Sequence, residues 1–523
     1  MRTIVLSGFM ATGKSTVGPL VASLRGVPFV DTDEILAREA GKPVPVLWRE
    51  EGEGAFRARE SALVARLLDD GVSRVIAFGG GTVTIRAARH LALERALVVT
   101  LTATPETILE RVRDVSARPN LAVGDPLERA RDLLAQRAEA YAECHLALAT
   151  DGVDPEVLAA SVLALAERNP LVVPLGARSY PIDICHDEPT RLTDAVARCA
   201  PSSVVLVTDA NVQRARGVSV EAALAPLALP GIRVTLSAGE RHKTLSNVSL
   251  IWDAALGAGV DRDALVVAVG GGVVGDLAGF AASAMLRGVR FLQVPTTLLA
   301  MVDASVGGKT GFDHPTGKNL VGSFHQPSAV VADLAHLRTL PARERISGLA
   351  EVAKIALTSD LRLLEALEKD SRAIAAGEVE ALRPIVRAAI AAKIRIVRDD
   401  ERESGARAVL NLGHTVGHAL EAHGGFSRYL HGEAVAIGTI AELAAGQALG
   451  FTPASVVERA RSLFLALGLP VTVSAAELHA SWPFVTSDKK RVRGAVRVPV
   501  VASPGAARVE RVSLRDLERV LLG

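Results

Sequence analysis

The 523-residue sequence is poor in cysteine and aromatic residues and has no long uncharged segment. Its three cysteines have no regular spacing, so we expect free thiols in a reducing compartment rather than a disulfide framework. The longest uncharged runs, 443–457 and 462–476, are interrupted by glycine and proline and are too short to span a bilayer. The N-terminal residues resemble a strand leading into a loop, not a signal peptide. We therefore expect a cytoplasmic protein.

Neither charge is in excess, because 59 Lys and Arg residues face 58 Asp and Glu residues. The net charge of +1 gives no general attraction to nucleic acid or membranes, so neither is expected as a partner. Lysine is scarce, and a compact ammonium suits phosphate and carboxylate groups. Most of the lysines lie in or beside glycine- or carboxylate-rich segments, namely Lys14, Lys243, Lys309, Lys318, Lys354, Lys393, Lys489 and Lys490. These segments are candidate anion sites.

The N-terminal segment Gly8–Thr16 has the P-loop pattern, a glycine and four residues followed by Gly13, Lys14 and a serine. Such glycines let backbone N–H groups turn toward phosphates, while Lys14 reaches the terminal phosphates and Ser15 can hold Mg²⁺. An apolar β-branched run precedes Gly8 and a helical segment follows Thr16. The motif therefore predicts nucleotide binding.

Residues 1–168 alternate between apolar strands and helical segments, which predicts a parallel sheet flanked by helices. Helix starts are predicted at Thr104-Pro105-Glu106 and Asp154-Pro155-Glu156, each a cap followed by proline and an acid. In such sheets, ligands bind at the carboxyl ends of the strands. The candidate ligand-binding segments after the predicted strands are Asp31-Thr32-Asp33, Phe56–Glu60, Gly79-Gly80-Gly81 and Ser116–Pro119. An aspartate there can bind Mg²⁺ or accept the proton of an attacking hydroxyl, and an arginine neutralises phosphoryl charge.

Together with the P-loop, these motifs resemble those of shikimate kinase over residues 1–168. The resemblance implies a P-loop kinase domain that phosphorylates shikimate to shikimate 3-phosphate with ATP and Mg²⁺. The implied residues are Asp33, Lys14 and Arg118 for catalysis, Asp33, Arg57, Gly80 and Arg137 for shikimate, Ser15 and Asp31 for Mg²⁺, and Gly8, Gly13, Lys14, Ser15, Thr16 and Arg111 for ATP.

A polar break at 166–170 separates this domain from a second α/β pattern that begins at Leu171. One predicted strand, 203–208, ends at Asp209. An acid at this position commonly accepts a hydrogen bond from a ribose hydroxyl of a nucleotide. Another, 264–269, runs into a glycine triplet that allows close approach of a diphosphate, although it is not the usual dinucleotide fingerprint. Glycine- and lysine-rich runs between 295 and 319 suggest an anion pocket built from loops. After residue 340 the composition becomes strongly helical.

Four of the twelve histidines fall within the segment Asn411–Glu433. His414 and His418 stand four residues apart, so on a helix they share one face, as pairs that bind a metal or a substrate do. His431 follows a glycine pair and can fold back toward the same place. Without a nearby cysteine, such a site suits Zn²⁺ with a carboxylate as third ligand, for which Glu351 is the candidate. The alternative is a set of polar helix-face histidines with no metal.

Residues 171–523 resemble 3-dehydroquinate synthase through the runs GGGVVGDLAGFAAS, MVDASVGGKTG, GKNLVGSFHQP, EVAK and NLGHTVGHALE. The resemblance implies a Rossmann-like NAD-binding α/β domain at 171–340, an all-helical metal-binding domain at 341–523, and a homodimer formed through this half. The implied reaction converts 3-deoxy-D-arabino-heptulosonate 7-phosphate to 3-dehydroquinate and phosphate, with catalytic NAD and a divalent metal, Zn²⁺ or Co²⁺.

The resemblance assigns Glu351, His414 and His431 to the metal and His418 to the substrate, although spacing alone favours the His414–His418 pair. The implied NAD contacts are Asp209, Glu240, Lys243, Gly271, Gly272, Asp276, Thr296, Thr297 and Thr339. The implied substrate contacts are Arg287, Asp303, Lys309, Lys318, Asn319, Lys354, Lys393, Arg407, Asn411, His418 and Lys489, and of these Lys309, Lys354, Lys393, Arg407 and His418 are the catalytic candidates. Two alternatives for this half are a related sugar-phosphate cyclase and a metal-dependent polyol dehydrogenase; another is that one half of the chain is a degenerate scaffold.

Overall fold

The computed structural model describes residues 2–112, 121, 124–315, 317–403, 405–487, 491–492 and 495–523. The chain divides into two compact units, Met1–Pro181 and Ile182–Gly523. The domain boundaries expected at 168–171 and 340–341 stay predictions. Within the described residues, no helix is both long and apolar enough to cross a membrane.

The first unit alternates strands and helices as the sequence predicts. It contains strands β1 (Thr3–Ser7), β2 (Phe29–Asp31), β3 (Val75–Ala77), β4 (Ala96–Thr102), β5 (Leu146–Ala149) and β6 (Leu171–Val173). It contains helices α1 (Lys14–Arg25), α2 (Thr32–Ala40), α3 (Val44–Asp69), α4 (Arg86–Arg95), α5 (Pro105–Arg111), α6 (Pro126–Ala142) and α7 (Pro155–Arg168).

A parallel sheet with the strand order β2-β3-β1-β4-β5 forms the centre of this unit. Helices α1 and α7 cover one face, and α3, α4 and α6 cover the other. The predicted helix starts are confirmed, because Thr104 caps α5 and Asp154 caps α7, each with a proline at the first helical position. The carboxyl ends of the strands therefore lie at one edge, where β1 runs into the P-loop.

The second unit begins within β7 (Tyr180–Cys185). It continues with strands β8 (Val204–Asp209), β9 (Gly231–Leu236), β10 (Leu265–Gly270), β11 (Arg290–Pro295), β12 (Lys309–His314), β13 (Gly317–Phe324), β14 (Ala329–Asp333), β15 (Arg491–Val492), β16 (Ala495–Ser503) and β17 (Ala506–Ser513). Its helices include α8 (Thr190–Cys199), α9 (Ala210–Leu224), α10 (Leu245–Gly257), α11 (Gly272–Ala284), α12 (Ala342–Ser359), α13 (Leu361–Lys369), α14 (Ser371–Ala376), α15 (Val379–Asp399), α16 (His414–His423), α17 (His431–Ala448), α18 (Ala454–Ala466), α19 (Ala475–Ser487) and α20 (Leu514–Leu522).

Its large sheet places parallel strands in the order β7-β14-β11-β10-β8-β9. Helices α10 and α11 pack on one face, and α8 and α9 pack on the other. The chain passes from β8 outward to β9 and then returns across β8 to β10. The strand order therefore reverses between β8 and β10, which is where doubly wound sheets open a crevice for ligands.

The glycine- and lysine-rich segment expected to form loops is instead an antiparallel hairpin of β12 and β13. Its glycines explain the difference. A Cβ atom at Gly311 would lie 2.4 Å from the Val321 carbonyl oxygen, and one at Gly322 would lie 2.2 Å from the Thr310 carbonyl oxygen. The two strands therefore approach closely only because both positions lack a side chain, so glycine here marks close backbone contact and not a turn.

The C-terminal part is helical as predicted, with one addition. Strands β15, β16 and β17 form a small antiparallel sheet near the C terminus. The alternating pattern of β16 buries Val496 and Val498 against α19 and α20, with Trp482 and Leu517 in the same apolar cluster. Alternation of buried and exposed residues over so short a segment is a weak signal in a region of helical composition. The small sheet was therefore not predicted from the sequence.

Glycines also let three helices meet where the histidine-rich segment lies. A Cβ atom at Gly438 of α17 would lie 2.1 Å from the Gly413 carbonyl oxygen, so α16 and α17 are in backbone contact. A Cβ atom at Gly432 would lie 1.8 Å from the Ser347 carbonyl oxygen of α12. Larger residues at these positions would separate the helices. The contact brings Glu351 of α12 beside the histidines that begin α16 and α17.

Candidate active sites

The first candidate site is the P-loop between β1 and α1. Gly8 has a φ of +133°, and a Cβ atom there would lie 2.2 Å from the Leu101 carbonyl oxygen, so only glycine fits. The Lys14 ammonium is nearly buried and donates to the carbonyl oxygens of Gly8 at 2.8 Å and Phe9 at 2.7 Å. Ser15 donates through Oγ to Asp31 Oδ2 at 3.4 Å. The loop thus gathers an ammonium, a hydroxyl and a carboxylate, which is the set that a magnesium nucleotide requires.

The glycine triplet after β3 lies against two of the predicted shikimate-binding side chains. A Cβ atom at Gly79 would lie 2.4 Å from Asp33 Oδ1, and one at Gly81 would lie 2.3 Å from Arg57 Nη2. Arg57 donates to Glu60 Oε2 at 2.5 Å, and Thr82 donates to the other oxygen of this fully buried carboxylate at 2.6 Å. The missing side chains leave room for the aspartate and the arginine to face one cavity.

Helix α6 supplies Arg137 to this cavity and places Tyr141 against Gly80, which also lines it. Arg137 donates to the Gly80 carbonyl oxygen at 3.1 Å, and Tyr141 donates to the same oxygen at 2.5 Å. Burial raises the pKa of the Tyr141 hydroxyl, so it stays protonated and acts as a donor. The cavity has a volume of about 340 Å³, and Lys14, Asp33, Arg57, Gly80 and Arg137 are among its lining residues. It therefore joins the phosphate end of the P-loop to a pocket lined by the cations of Arg57 and Arg137 together with carboxylates, Asp33 among them.

The second candidate site is built around Glu351, whose side chain is fully buried in α12. His414 Nε2 lies 3.6 Å from Glu351 Oε1, and His431 Nε2 lies 3.5 Å from the same oxygen. The three side chains offer ligand atoms that all lie within 4.8 Å of one another. Two ligands of a tetrahedral zinc ion, each about 2.1 Å from it, are about 3.4 Å apart, so these spacings suit zinc.

Each histidine of this group is held by its second ring nitrogen. His414 Nδ1 lies 3.2 Å from the Leu412 carbonyl oxygen, which can only accept, so the proton is on Nδ1 and Nε2 is the nitrogen that can bind a metal. His431 Nδ1 lies 3.4 Å from Glu421 Oε2, an arrangement of carboxylate and histidine found around bound metals. A second group, His418, Glu421 and His431, shares His431 with the first.

The charge around Glu351 favours a cation. Its two carboxylate oxygens are buried and accept no well-formed hydrogen bond from the described residues, although Lys354 lies in ion-pair contact with Oε2. Burial lowers the pKa of His431, but Glu351 and Glu421 outweigh burial and raise it to about 10. The carboxylates thus create a negative field at the imidazole. A divalent cation would balance the same field, so these residues fit a bound metal ion.

Beside this group, Lys393 of α15 donates to Asp303 Oδ1 at 2.5 Å and also to the Asp303 carbonyl oxygen. Burial lowers the pKa of the Lys393 ammonium to about 8, with Arg407 adding to the effect and Asp303 opposing it. Burial also works against the Asp303 carboxylate, but Lys393 and Lys354 hold its pKa below the usual range. The ammonium is therefore a buried cation within a group of charged residues, suited to an anionic ligand.

The crevice between β8 and β10 brings together most of the predicted nucleotide contacts. Asp209 ends β8 and accepts from the N–H groups that open α9, while Gly271 caps α11 after β10. A Cβ atom at Gly271 would lie 3.2 Å from the Thr297 methyl group, and Thr296 donates through its N–H to the Gly270 carbonyl oxygen at 2.9 Å. An acid, a helix N-terminus and two threonines thus line one edge, as dinucleotide sites require.

Comparison with known proteins gives family matches for both units. Residues 10–167 match the family Shikimate kinase, 233–347 match 3-dehydroquinate synthase N-terminal, and 348–491 match 3-dehydroquinate synthase C-terminal. The 3-dehydroquinate synthase of Acidithiobacillus ferrooxidans (strain ATCC 53993 / BNL-5-31) is 45% identical over 341 residues, 64% of this chain and 93% of that protein. The enzyme of the same name from Acinetobacter baylyi is 41% identical over 338 residues, with the same two shares.

The chain belongs to the 3-dehydroquinate synthase family, and its first unit belongs to the shikimate kinase family. It therefore combines two enzymes of the shikimate pathway. Among solved structures, 2-epi-5-epi-valiolone synthase ValA from Streptomyces hygroscopicus subsp. jinggangensis, with NAD⁺ and Zn²⁺ bound, is 28% identical. That comparison has a TM-score of 0.59 and covers 66% of this chain and 96% of ValA.

The synthase half gathers many predicted residues through direct contacts. Lys243 forms an ion pair with Asp276 at 2.6 Å and donates to Asn319 Oδ1, also at 2.6 Å. Lys318 lies 3.4 Å from Glu240 and 3.2 Å from Glu421. Since Glu421 contacts His431, this lysine connects the nucleotide side to the histidine side.

Other predicted residues are placed less directly. Lys309 forms an ion pair with Glu403, which accepts from Asn411 at 2.7 Å, and Arg407 donates to the Glu401 carbonyl oxygen at 2.6 Å. Arg287 is exposed in the turn between α11 and β11, and Thr339 follows the turn after β14. Arg118 and Lys489 lie outside the described residues, as does Lys490. Arg111 contacts the P-loop through the Ala11 carbonyl oxygen at 3.4 Å.

Several site residues were not assigned from the sequence. Glu60 holds Arg57, Tyr141 donates to Gly80, and Glu421 orients His431. A signal existed for two of them: Glu60 stands three residues after Arg57 and Glu421 three after His418, so each pair shares a helical face. Glu403, which contacts Lys309 and Asn411, had no such signal because its partners are distant in sequence.

Proposed function

We propose that the first unit transfers the terminal phosphoryl group of ATP to shikimate. The second unit, in this proposal, converts 3-deoxy-D-arabino-heptulosonate 7-phosphate to 3-dehydroquinate and phosphate with catalytic NAD. The observation that carries the synthase assignment is the buried Glu351 carboxylate with two imidazole Nε2 atoms at 3.5 and 3.6 Å. The curated synthases, 41% and 45% identical, support the same substrate.

In the kinase reaction, Lys14 and the P-loop N–H groups would bind the phosphates of ATP. Ser15 and Asp31 fit a magnesium ion, which would neutralise phosphate charge, and Arg111 would lie against the adenine. Asp33 would accept the proton of the attacking hydroxyl, since it shares the cavity with Arg57, Gly80 and Arg137. The two arginines would bind the shikimate carboxylate. Arg118 would stabilise the transferring phosphoryl group.

In the synthase reaction, Glu351, His414 and His431 would hold Zn²⁺ or Co²⁺, and the crevice residues from Asp209 to Thr339 would hold NAD. When bound, the metal supplies Lewis acidity and NAD supplies a temporary hydride acceptor. These residues fit both groups, given the buried carboxylate of Glu351, whose Oε1 lies beside two imidazole nitrogens, and the close approach that Gly271 permits. The bound metal of ValA supports the same assignment.

The remaining side chains of the synthase site would bind and orient the anionic substrate. Lys354 and Lys393 are buried cations beside the metal group, and Arg407 is buried as well. Ammonium and guanidinium groups that are held in place before binding stabilise phosphate and carboxylate without reorganisation. His418 is more exposed than the other two histidines and would contact substrate hydroxyls. Arg287, Lys309, Lys318, Asn319, Asn411 and Lys489 complete the proposed substrate set.

Similarity to ValA also supports a second candidate, a cyclase that acts on a different sugar phosphate. The experiment measures phosphate release from the heptulosonate phosphate with substoichiometric NAD⁺, before and after chelation and zinc restoration, with NADH recorded simultaneously. We expect zinc-dependent release without net NADH. Accumulating NADH would indicate a polyol dehydrogenase. Absence of release, with release from another sugar phosphate, would favour the second candidate.

We also propose a cytoplasmic homodimer formed through the synthase half. The free thiols of Cys144, Cys185 and Cys199 support a reducing location. Val321 and Phe324 of β13 are large apolar side chains that are 37% and 45% exposed, which supports a second copy on this surface. Sedimentation of the intact chain and of Phe324→Asp tests this: a dimer that the substitution dissociates is expected, and a monomeric intact chain would refute it.

A further inference from the structure

The start of α16 carries the metal candidate His414 but has no cap of its own. The residue before the helix is Gly413, which has no side chain to accept a hydrogen bond from the first turn. The first N–H groups of any helix lack partners within the helix, and in a buried helix they require one from elsewhere. The partner here comes from another helix.

Glu442 of α17 supplies this cap. Its Oε2 accepts from the Gly413 N–H at 2.8 Å, and its Oε1 accepts from the Val416 N–H at 3.0 Å. The side chain is 1% exposed, so both oxygens are removed from water. The carboxylate binds the N–H before the helix and the N–H at its third position. One side chain therefore holds both ends of the turn that contains His414.

The contact between Glu442 and the start of α16 has the charge and the close packing needed to hold the first turn of this helix in place. A buried carboxylate is costly unless it is hydrogen-bonded, and a negative charge at a helix N-terminus is favourable. Gly413 has a φ of +79°, and a Cβ atom there would lie 2.3 Å from Thr439 Oγ1. The start of α16 is therefore pressed against α17, where a rotation of the turn would break both hydrogen bonds.

The same turn determines where His414 points. The ring donates through Nδ1 to the Leu412 carbonyl oxygen at 3.2 Å, and Nε2 lies 3.6 Å from Glu351 Oε1. We propose that Glu442 is a positioning residue for the metal centre, holding the first turn of α16 so that His414 Nε2 faces Glu351 and His431. This inference rests on the proposed zinc site.

The experiment uses the full chain, with Glu442→Gln as the isosteric variant and Glu442→Ala as the second. Asp333→Asn is the matched control, because Asp333 is also a buried carboxylate that accepts two backbone N–H bonds, from Asp187 and Ala335 at 2.8 Å each. Zinc affinity is measured by competition with a chromophoric chelator. Hydrogen exchange reports the amides of Gly413 and Val416, and thermal unfolding of each variant reports whether the unit Ile182–Gly523 is folded.

For Glu442→Gln we expect zinc to bind about tenfold more weakly, as for other groups that orient metal ligands. The two amides should exchange faster, while the control matches the original chain in both measurements. Unchanged zinc affinity would overturn the proposal, even with lower thermal stability, since that would be a purely structural role. The two possible failures give different results. If the unsubstituted chain binds no zinc, the proposed function fails and this inference fails with it. If the unsubstituted chain binds zinc and Glu442→Gln binds it equally well, only this inference fails.

Discussion

At the residue scale, both sites depend on charged side chains that are buried beside partners of opposite charge. Lys354 lies against Glu351, and Lys393 lies against Asp303, with both lysines at most 4% exposed. A buried ion is costly unless it is paired and hydrogen-bonded, so such pairs seldom serve stability alone. Their concentration beside the histidines is typical of a catalytic centre.

The role of the Lys393 ammonium can be tested through the pH dependence of the synthase reaction. Its pKa of about 8 lies below the usual 10.5, so in the folded protein the ammonium is present below pH 8 and is lost above it. If the cation binds substrate, the synthase kcat/KM falls as pH rises through about 8, because that ratio reports groups of the free enzyme. Lys393→Arg should shift this fall to higher pH.

The exposed Lys369→Arg serves as control and should leave the pH profile unchanged. The stability of the fold is expected to change with pH in the opposite direction to the synthase activity. Between pH 8 and 10.5 the unfolded chain holds more protons at Lys393 than the folded one, so this group favours folding more as pH rises. A synthase profile that stays flat to pH 10 would contradict the role of Lys393.

At the scale of elements, glycines determine how closely helices and loops approach the sites. Gly432 and Gly438 bring α17 against α12 and α16, and the triplet after β3 leaves space for Asp33 and Arg57. The cost of a side chain depends on what it would meet. A methyl group against a backbone carbonyl displaces an element, whereas one against the end of a long side chain displaces only that side chain.

The substitution Gly81→Ala tests whether these glycines leave room for the site residues. The new methyl group would lie 2.3 Å from Arg57 Nη2, so the guanidinium must move while the fold remains. We expect the kinase kcat/KM for shikimate to fall about 10- to 100-fold, since displacement of a binding group by about 1 Å has that effect. Steady-state kinetics and thermal unfolding together check this.

Gly54→Ala is the matched control, because a Cβ atom there meets nothing within 4 Å. It should leave shikimate kinetics and synthase activity unchanged. If Gly81→Ala has full kinase activity, Arg57 does not contact the substrate. If it unfolds the chain instead, the glycine serves the backbone and not the site.

At the scale of the whole molecule, the chain contains two compact units, each with its own sheet, core and site. The P-loop site lies within Met1–Pro181 and the Glu351 site within Ile182–Gly523. Because the proposed ligands of each site come from one unit, loss of one chemistry should not remove the other.

Glu351→Gln tests this separation in the intact chain. It keeps the side-chain volume but removes the charge that a divalent cation needs, so we expect the zinc and at least about 100-fold of synthase activity to be lost. Shikimate phosphorylation with Mg²⁺ should remain within about twofold of the original rate. Metal analysis and the two assays measure these outcomes.

Glu344→Gln, on the exposed side of the same helix, is the control and should retain zinc. Chelation of the unsubstituted chain should reproduce the Glu351→Gln pattern once Mg²⁺ is returned for the kinase assay. Equal loss of both activities in Glu351→Gln would contradict the separation.

Sequence reasoning alone predicted the alternating strands of the first unit, the P-loop, the helix caps at Thr104 and Asp154, and both family resemblances. These features are local: a cap, a glycine turn or an apolar strand is specified by neighbouring residues, so its pattern is visible in one segment. Glu351, more than sixty residues before His414, was already a candidate third ligand, but the choice of His431 over His418 was inferred from a resemblance and not from spacing.

Which side chains meet depends on how distant segments pack against one another. His414 and His418 share a helical face, yet Glu351 Oε1 lies beside His414 and His431, because glycines let α12, α16 and α17 come into backbone contact. The capping of α16 by Glu442 and the hairpin of β12 and β13 were likewise not indicated by any local pattern. Contacts between distant segments depend on packing distances, and a sequence read in order does not contain those distances.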